Sequence, residues 1–381
     1  MLIKIKEKFE ELFSNSENTR CFFSPGRVNI IGEHIDYNGG FVLPCAINRG
    51  TYFMIRLNHT NRVHAYSMQF EDLGLISFDV IDESHTKQWT DFIKGVMKIF
   101  DLHVGFDMVC GGTIPHSSGL SSSASFCTGL GYALSTLVNH PVQGTDLALK
   151  CKRVENEFMG VNSGIMDQFI ICNGVENGAL LLNCNTLKYE EIPFELEDNV
   201  LIIANTNKKR LLADSKYNER RAECDAILEI LRQNGYYYEY LCDIDENTME
   251  KLLPLVKDTN LQKRWRHVVS ENVRTIQASK ALKQHDIETL GTLLTASHLS
   301  LEKDYEVTGK ELDTLVHSFL SQEGCIGARM TGAGFGGCSI ALFKKGFEKK
   351  AIEKVKEIYT AKIGYEPSFY EVSVSSGTKE I

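Results

Sequence analysis

The chain has 381 residues, of which 43% are hydrophobic and 24% are charged, and its formal net charge is −9. This length exceeds what one hydrophobic core usually supports, so we expect two domains with a cleft between them. The acidic charge disfavours a nucleic-acid partner, because binding to a phosphate backbone depends on clustered Lys and Arg. No apolar run is long enough to cross a bilayer, and the N-terminus lacks a signal peptide's apolar core. We therefore expect no membrane segment and a cytoplasmic location.

Eleven cysteines are spread along the chain. Their number is odd and no two form a C-x-x-C pair, which argues against a complete disulfide framework and against a zinc site of the usual spacing. We expect reduced, mostly buried thiols.

The first third of the chain is predicted to form strands. Segments rich in β-branched and aromatic residues lie between Gly, Asn and Asp breaks, as is typical of strands. These predicted strands cover residues 21–31, 41–57, 62–70, 74–80 and 104–114.

Helical periodicity follows the predicted strands. After Gly119, apolar residues recur at helical spacing, and a second helix is predicted from Thr145 to a stop at Gly160. Later helices are predicted from Ser215 to just before Gly235 and over residues 286–301, 308–321 and 347–363. Later strands are predicted over residues 178–184, 199–206, 338–343 and 368–374. We place the domain boundary near residues 170–180, which gives domains of residues 1–175 and 176–381.

The segment 26–40 concentrates ionisable side chains between glycines. Arg27, Glu33, His34 and Asp36 fall within ten positions. Burying them unpaired would be costly, so a strand that only supports a core does not explain them. Glycines let the backbone approach a bound molecule, and the segment is predicted to face a small hydroxylated substrate.

Residues 111–125 run from a predicted strand through a Gly/Ser loop into a predicted helix. Free N–H groups and the positive end of the helix dipole favour an anion at this point, and serine hydroxyls add donors or a magnesium ligand. The chain has no G-x-x-x-x-G-K-[ST] motif, which excludes the ordinary P-loop. The glycine-rich run 330–337 precedes a predicted strand instead of a helix, so it is not a dinucleotide fingerprint. It is either a tight bend between strands or a backbone segment close to a ligand.

Two acids in the middle of the chain are further candidates. Glu155 lies beside an apolar stripe, and Asp167 is flanked by Met and Phe. A carboxylate in such surroundings needs a partner, and Arg27 is the candidate that the ligand-facing segment offers.

Taken together, these blocks resemble the galactokinase family of the GHMP kinase superfamily. The resemblance is carried by residues 26–47, 119–124 and 331–337, with further matching segments at 160–169, 214–221 and 304–307. It implies an α+β, two-domain GHMP kinase fold with mixed sheets and helices and an active site in the cleft between domains. It also implies ATP-dependent phosphorylation of the anomeric hydroxyl of α-D-galactose, with ATP and Mg²⁺ as cofactors.

The resemblance further implies a role for individual residues. Arg27 and Asp167 would flank the reacting hydroxyl, while Ser123 and Glu155 would hold magnesium. The sugar-binding residues would be Glu33, His34, Asp36, Gly164 and Tyr217. The phosphate-binding residues would be Pro115, Ser117, Ser118, Gly119, Leu120, Ser121, Ser122, Ser123 and Ala124. Trp89, Phe92 and Gly95 resemble a family segment near the adenine.

Two departures from the family pattern leave substrate breadth open. Ile35 stands where galactokinases often carry Thr, and His116 to Ser118 replace smaller residues. The alternatives are a related kinase acting on N-acetylgalactosamine, arabinose or galacturonate, or a sensor that binds galactose and ATP without turnover. The intact catalytic set argues against the sensor. We expect a monomer whose partners are small molecules.

Overall fold

Three sheets organise the part of the chain that this computed structural model describes, namely residues 1–114, 119–161, 164–208 and 213–381. The strands are β1 (Arg20–Asn29), β2 (Phe41–Val42), β3 (Pro44–Leu57), β4 (Arg62–Ser67), β5 (Ile76–Asp79), β6 (Phe106–Gly112), β7 (Gly178–Asn183), β8 (Tyr189–Pro193), β9 (Asn199–Asn205), β10 (Cys325–Thr331), β11 (Cys338–Lys344), β12 (Ser368–Val372) and β13 (Lys379–Glu380). They are arranged in the orders β13-β1-β3-β6-β4-β5, β10-β11-β9-β12 and β2-β7-β8.

The helices lie between and beside these sheets. They are α1 (Leu2–Phe13), α2 (Thr90–Phe100), α3 (Ser122–Leu137), α4 (Gly144–Arg153), α5 (Met166–Asn173), α6 (Ala213–Gln233), α7 (Glu246–Leu252), α8 (Thr259–Lys283), α9 (Ile287–Ser300), α10 (Gly309–Leu320) and α11 (Glu348–Ile363). Two π-helical turns, Val154–Phe158 and Leu301–Tyr305, extend α4 and α9. Within the described ranges, no helix is both long and apolar enough to cross a membrane.

Two long neighbouring strands of the first sheet position the loop before α3, residues 119–121, which we call the phosphate loop because it is predicted to bind phosphate. β1 pairs with β3 in antiparallel register, with a shift between Pro25 and Gly26. A Cβ on Gly26 would lie 2.9 Å from the Leu120 carbonyl oxygen. Glycine at this bulge therefore lets the loop before α3 approach the strand that carries Arg27.

Most predicted elements are confirmed, with shifted ends. The predicted strand 41–57 is two strands, β2 and β3, and the strand predicted over 62–70 ends at Ser67. The helix predicted from Thr145 to Gly160 is α4 and the π-helical turn that follows it.

Several elements were not predicted, and α8 is the longest of them. Its 25 residues bury Arg264, His267 and Glu271 together with apolar side chains, so its buried face is not an apolar stripe. A search for apolar periodicity does not detect a helix of this kind. Helices α1, α2, α5 and α7 and strands β8, β10 and β13 were missed as well.

Candidate active site

Arg27 and Asp167 form the centre of the site. Arg27 lies near the end of β1, and Asp167 lies in the first turn of α5. Arg27 Nε donates to Asp167 Oδ1 at 2.8 Å and Nη2 donates to Oδ2 at 2.9 Å, which is a bidentate pair. Arg27 is buried and Asp167 is partly exposed. The predicted contact between the two side chains is therefore confirmed.

The phosphate loop joins this pair. Arg27 Nη1 donates to the Gly119 carbonyl at 2.6 Å, and the Ser121 hydroxyl donates to Asp167 Oδ2. Because the hydroxyl of Ser121 is directed at Asp167, it does not cap α3, and no side-chain cap is found at that helix among the described residues. The N–H groups of the first turn thus stay available to an anion.

The predicted phosphate-binding residues are only partly described. Pro115, Ser117 and Ser118 lie outside the described residues. Of the rest, Leu120 and Ala124 are buried, whereas Ser122 and Ser123 are exposed at the start of α3. The two exposed serines therefore lie at the same end of α3 as the backbone N–H groups of its first turn.

Asp36, a predicted sugar-binding residue, lies in the short helical turn Asp36–Asn38. Burial, and then the charge of Asp167, raise the pKa of its carboxyl to about 6. A Cβ on Gly164 would lie 2.1 Å from Asp36 Oδ2, so any larger residue at that position must displace the Asp36 carboxylate. Burial raises the pKa of Tyr217, and the charges of Asp36 and Asp167 raise it further. Asp36 therefore lies against Gly164 and close enough to Asp167 and Tyr217 to interact with them electrostatically.

His34 is held within a group of aromatic rings. Its Nε2 lies 3.2 Å from the Ala333 carbonyl and its Nδ1 lies 2.9 Å from the Tyr37 hydroxyl. Its ring centroid lies 4.9 Å from that of Tyr305 and 5.5 Å from that of Tyr217. Burial lowers the pKa of His34 to about 3, so the ring is neutral at physiological pH. A neutral ring with Nε2 on a carbonyl carries its proton there and accepts from Tyr37 at Nδ1.

Glu33 points into the protein and is 2% exposed. One carboxylate oxygen accepts from the Asn29 amide and the other from the Gly332 N–H. Arg329 Nη1 lies 3.7 Å from Glu33. Burial raises the pKa of Glu33, and the charge of Arg329 opposes that shift. Sugar binding by Glu33 stays a prediction, since both oxygens already accept from protein donors.

Glu271 and Arg329, which sequence reasoning missed, support the segment around Glu33. Glu271 Oε1 accepts from the Gly32 N–H at 3.0 Å. Arg329 Nη1 donates to the carbonyls of Asn29 and Ile30, each at 3.1 Å. Both side chains are fully buried. Their only sequence signal is a charge inside an otherwise ordinary helix or strand, which is not distinctive.

The run Thr331–Gly337 is the loop of the β10–β11 hairpin, and we call it the glycine hairpin. Its backbone has a positive φ at Gly332 and Gly334, where glycine is favoured. A Cβ on Gly332 would lie 3.3 Å from the Gly119 carbonyl oxygen. The interpretation as a tight bend between strands is confirmed, and the bend lies beside the phosphate loop.

Glu155 and Ser123 offer the oxygen ligands that Mg²⁺ prefers. Glu155 is buried in the π-helical turn after α4 and accepts from the Gln168 amide at 2.8 Å. Burial raises the pKa of the Cys127 thiol, and the charge of Glu155 raises it further. A carboxylate and a hydroxyl oxygen suit magnesium by their chemistry, and magnesium binding by this pair stays a prediction.

An aromatic group flanks the other side of α3. The Trp89 ring lies 5.9 Å from Phe126 in an edge-on contact, and Phe92 lies 6.5 Å from Phe126. Trp89 Nε1 is buried and has no hydrogen-bond partner among the described residues. Gly95 serves packing, because a Cβ there would lie 2.9 Å from Val154 Cγ1.

Comparisons with known proteins agree with this arrangement. The model of the galactokinase galactose-binding signature matches residues 7–57, the GHMP kinase N-terminal domain matches 91–175, and the GHMP kinase C-terminal model matches 278–361. A galactokinase of Clostridium beijerinckii is 48% identical, covering 99% of this chain and 98% of that protein. The chain belongs to the galactokinase family. A galactokinase of Ligilactobacillus salivarius is 47% identical over 98% of each chain.

Solved structures give the same family. The crystal structure of Lactococcus lactis galactokinase complexed with galactose matches with a TM-score of 0.96 and 42% identity, covering 100% of both chains. Mevalonate kinase of Methanococcus jannaschii matches with a TM-score of 0.67 at 21% identity, covering 94% of this chain and 99% of that one, which shows the shared fold. The predicted α+β GHMP kinase fold is confirmed.

Proposed function

We propose that this member of the galactokinase family transfers the γ-phosphoryl group of ATP to the anomeric hydroxyl of α-D-galactose, giving galactose 1-phosphate and ADP. The observation that supports it is the bidentate Arg27–Asp167 pair, which contacts the phosphate loop at Gly119 and Ser121. Asp36 and Tyr217, which interact electrostatically with Asp167, would bind the sugar. The position of the acid between a candidate sugar site and a candidate phosphate site suits transfer between two bound substrates.

Phosphoryl transfer requires positioning and charge stabilisation more than covalent chemistry by the protein. Asp167 accepts from Arg27 and Ser121, and a carboxylate retains further acceptor capacity for the sugar hydroxyl. Asp167 would orient the hydroxyl and take its proton late in the transfer. Arg27 would stabilise negative charge on the transferred group.

The nucleotide would lie along the start of α3. The N–H groups before and within the first turn would bind phosphate oxygens, together with the loop residues Pro115, Ser117 and Ser118. Ser123 and Glu155 would hold Mg²⁺, which neutralises phosphate charge when it is bound. Trp89 and Phe92 would border the adenine.

Sugar selection would come from hydrogen bonds of Asp36, Tyr217, Glu33 and His34. A site made to pair with a particular hydroxyl leaves its own polar groups unsatisfied when an epimer binds. Gly164 leaves room for the Asp36 carboxylate, which is therefore a direct candidate for a sugar hydroxyl.

A coupled ADP-release assay with a panel of sugars tests the proposal. We expect turnover with galactose and little with glucose; a higher kcat/KM for N-acetylgalactosamine, arabinose or galacturonate would instead assign a related kinase. Asp167→Asn should fold, bind ATP and lose most turnover. Asp101→Asn is the matched control, because Asp101 is exposed and its φ of 57° suits Asn. Binding of galactose and ATP without ADP release would favour the sensor.

The remaining assignments belong to the same proposal. Residues 1–175 would form the N-terminal domain and residues 176–381 the C-terminal domain, with the site between them. We propose a cytoplasmic location, because the substrate ATP is present in the cytoplasm. We also propose that the protein is a monomer. Light scattering during size-exclusion chromatography measures the oligomeric state.

A further inference from the structure

Four side chains that the proposed reaction does not use converge on the C-terminal half of the chain. His298 lies near the end of α9 and Glu302 lies in the π-helical turn that extends it. Asp313 and His317 lie four residues apart on α10, so they share one face of that helix. The ligand atoms of His298, Glu302 and His317 all lie within 4.8 Å of one another.

The spacing of these atoms suits a small metal ion. Glu302 Oε2 lies 3.0 Å from His317 Nε2, and His298 Nε2 lies 3.8 Å from Asp313 Oδ1. A tetrahedral zinc ion with bonds of about 2.0–2.1 Å sets its donor atoms roughly 3.3 Å apart. The Glu302–His317 separation is slightly below that value, and all three ligand atoms lie within 4.8 Å of one another, so the donors must move closer together when an ion binds.

Two buried atoms at this position have no hydrogen-bond partner among the described residues, namely His298 Nε2 and Asp313 Oδ1. The His298 side chain is fully buried. At 3.8 Å the two atoms are too far apart to bond to each other. Buried polar atoms are nearly always partnered, so an unpaired nitrogen beside an unpaired carboxylate oxygen requires an explanation. A bound cation would satisfy both.

We propose that His298, Glu302 and His317 form a binding site for Zn²⁺ or a similar first-row transition ion, with the Asp313 carboxylate beside His298. Two imidazoles select such ions over Mg²⁺ and Ca²⁺, which prefer an all-oxygen set. The two carboxylates balance the charge of a divalent ion. His317 is half exposed and gives the ion a path from solvent.

Metal binding has one identifiable cost. The Met330 N–H donates to His298 Nδ1 at 3.3 Å, so the neutral ring carries its proton on Nε2. A metal on Nε2 moves that proton to Nδ1 and removes this hydrogen bond. The change leaves the Met330 N–H without this acceptor and places a second N–H donor opposite it, so the metal–ligand bonds must outweigh the cost of two buried donors that face each other.

Cobalt titration tests the site without sugar or nucleotide, so the result does not depend on the proposed kinase reaction. The protein is stripped with EDTA, titrated with Co²⁺ and then with Zn²⁺ as the competitor. We expect one cobalt per chain with visible absorption typical of nitrogen and oxygen ligands and no thiolate charge-transfer band. The absence of that band excludes binding by the cysteines.

Substitutions test whether these residues bind the cobalt ion. His317→Ala and, independently, Glu302→Gln should weaken cobalt binding at least tenfold, with circular dichroism as the check on folding. His103→Ala is the control and should leave cobalt binding unchanged. His103 is also exposed and lies 3.0 Å from a carboxylate, that of Asp101, but it is not part of the proposed site. A thiolate spectrum, absence of cobalt binding, or equal affinity of wild type and both variants would overturn the proposal.

Discussion

Replacing Glu271 by Gln tests how the sugar-binding segment is held. The Glu271 carboxylate is fully buried, accepts from the Gly32 N–H at 3.0 Å, and also accepts from the Ser297 hydroxyl at 2.6 Å. Arg274 donates to its other oxygen at 2.8 Å. Gln preserves the shape and removes the charge. We expect a less stable protein with weaker galactose binding, because Gly32 directly precedes Glu33.

The pKa of Glu271 gives the size of the expected loss of stability. Burial alone raises this pKa, but the charges of Arg274 and Arg329 and the hydrogen bond from Ser297 help to outweigh burial and lower it to about 2 from 4.5. At about 1.36 kcal/mol per unit, this shift corresponds to roughly 3 kcal/mol at neutral pH. Breaking a buried ion pair by removing one partner costs about 3–5 kcal/mol, which agrees.

The sign of the pH dependence follows from the same shift. Because the pKa is lower in the folded state than in the unfolded state, the stabilisation is complete above the unfolded value of 4.5 and is lost as pH falls toward 2. The difference in unfolding free energy between wild type and Glu271→Gln should therefore be constant from about pH 5.5 to pH 8. It should narrow only in more acidic buffer.

Urea unfolding followed by circular dichroism measures the stability difference, and steady-state kinetics measures KM for each substrate. We expect a lower urea midpoint and a higher KM for galactose, with KM for ATP nearly unchanged. Glu288→Gln is the control, since Glu288 is exposed and pairs with Lys344 at 3.1 Å on the surface. A stability loss below about 1 kcal/mol, or one that changes across neutral pH, would refute the reasoning.

Three further changes probe the site itself. The pKa of Asp36 is raised to about 6, so kcat/KM for galactose should fall as pH drops through that value. If Asp36→Asn keeps the same inflection in its pH profile, the inflection belongs to another group. Gly164→Ala should raise KM for galactose more than KM for ATP, because a Cβ collides with the Asp36 carboxylate; equal changes in both constants would contradict this. Ser121→Ala removes a hydrogen bond to Asp167 and should lower kcat about tenfold or more, and an unchanged kcat would show that this bond has no part in turnover.

Sequence pattern predicted the elements that bury one apolar face. Strands such as β9 and β11 alternate or concentrate apolar residues between breaks, and α10 carries a clear apolar stripe. Helix α8 was missed because its buried positions include Arg264, His267 and Glu271. Their burial is stabilised by tertiary partners from distant segments, such as the Glu33 carbonyl on His267, and such partners are invisible to local periodicity.

The same difference separates the predicted and unpredicted parts of the site. Arg27 and Asp167 could be paired from sequence because an acid among apolar neighbours needs a cation and one segment offered it. The support from Glu271 and Arg329 could not be predicted, because Gly32 and Glu271 are separated by 239 positions in the sequence and only the fold brings them together. Sequence spacing over such a length carries no distance information.

The glycine hairpin connects the two candidate substrate sites through backbone atoms. Its Gly332 N–H is bound by Glu33 and its Ala333 carbonyl by His34, both in the candidate sugar segment. The same Gly332 lies against the Gly119 carbonyl, which Arg27 holds at 2.6 Å on the phosphate side. A displacement of the hairpin therefore changes contacts on both sides at once. Glu271 and Arg329 bind the backbone of Gly32, Asn29 and Ile30, so in the proposed reaction they would help to fix the position of the sugar relative to the nucleotide, on which in-line transfer depends.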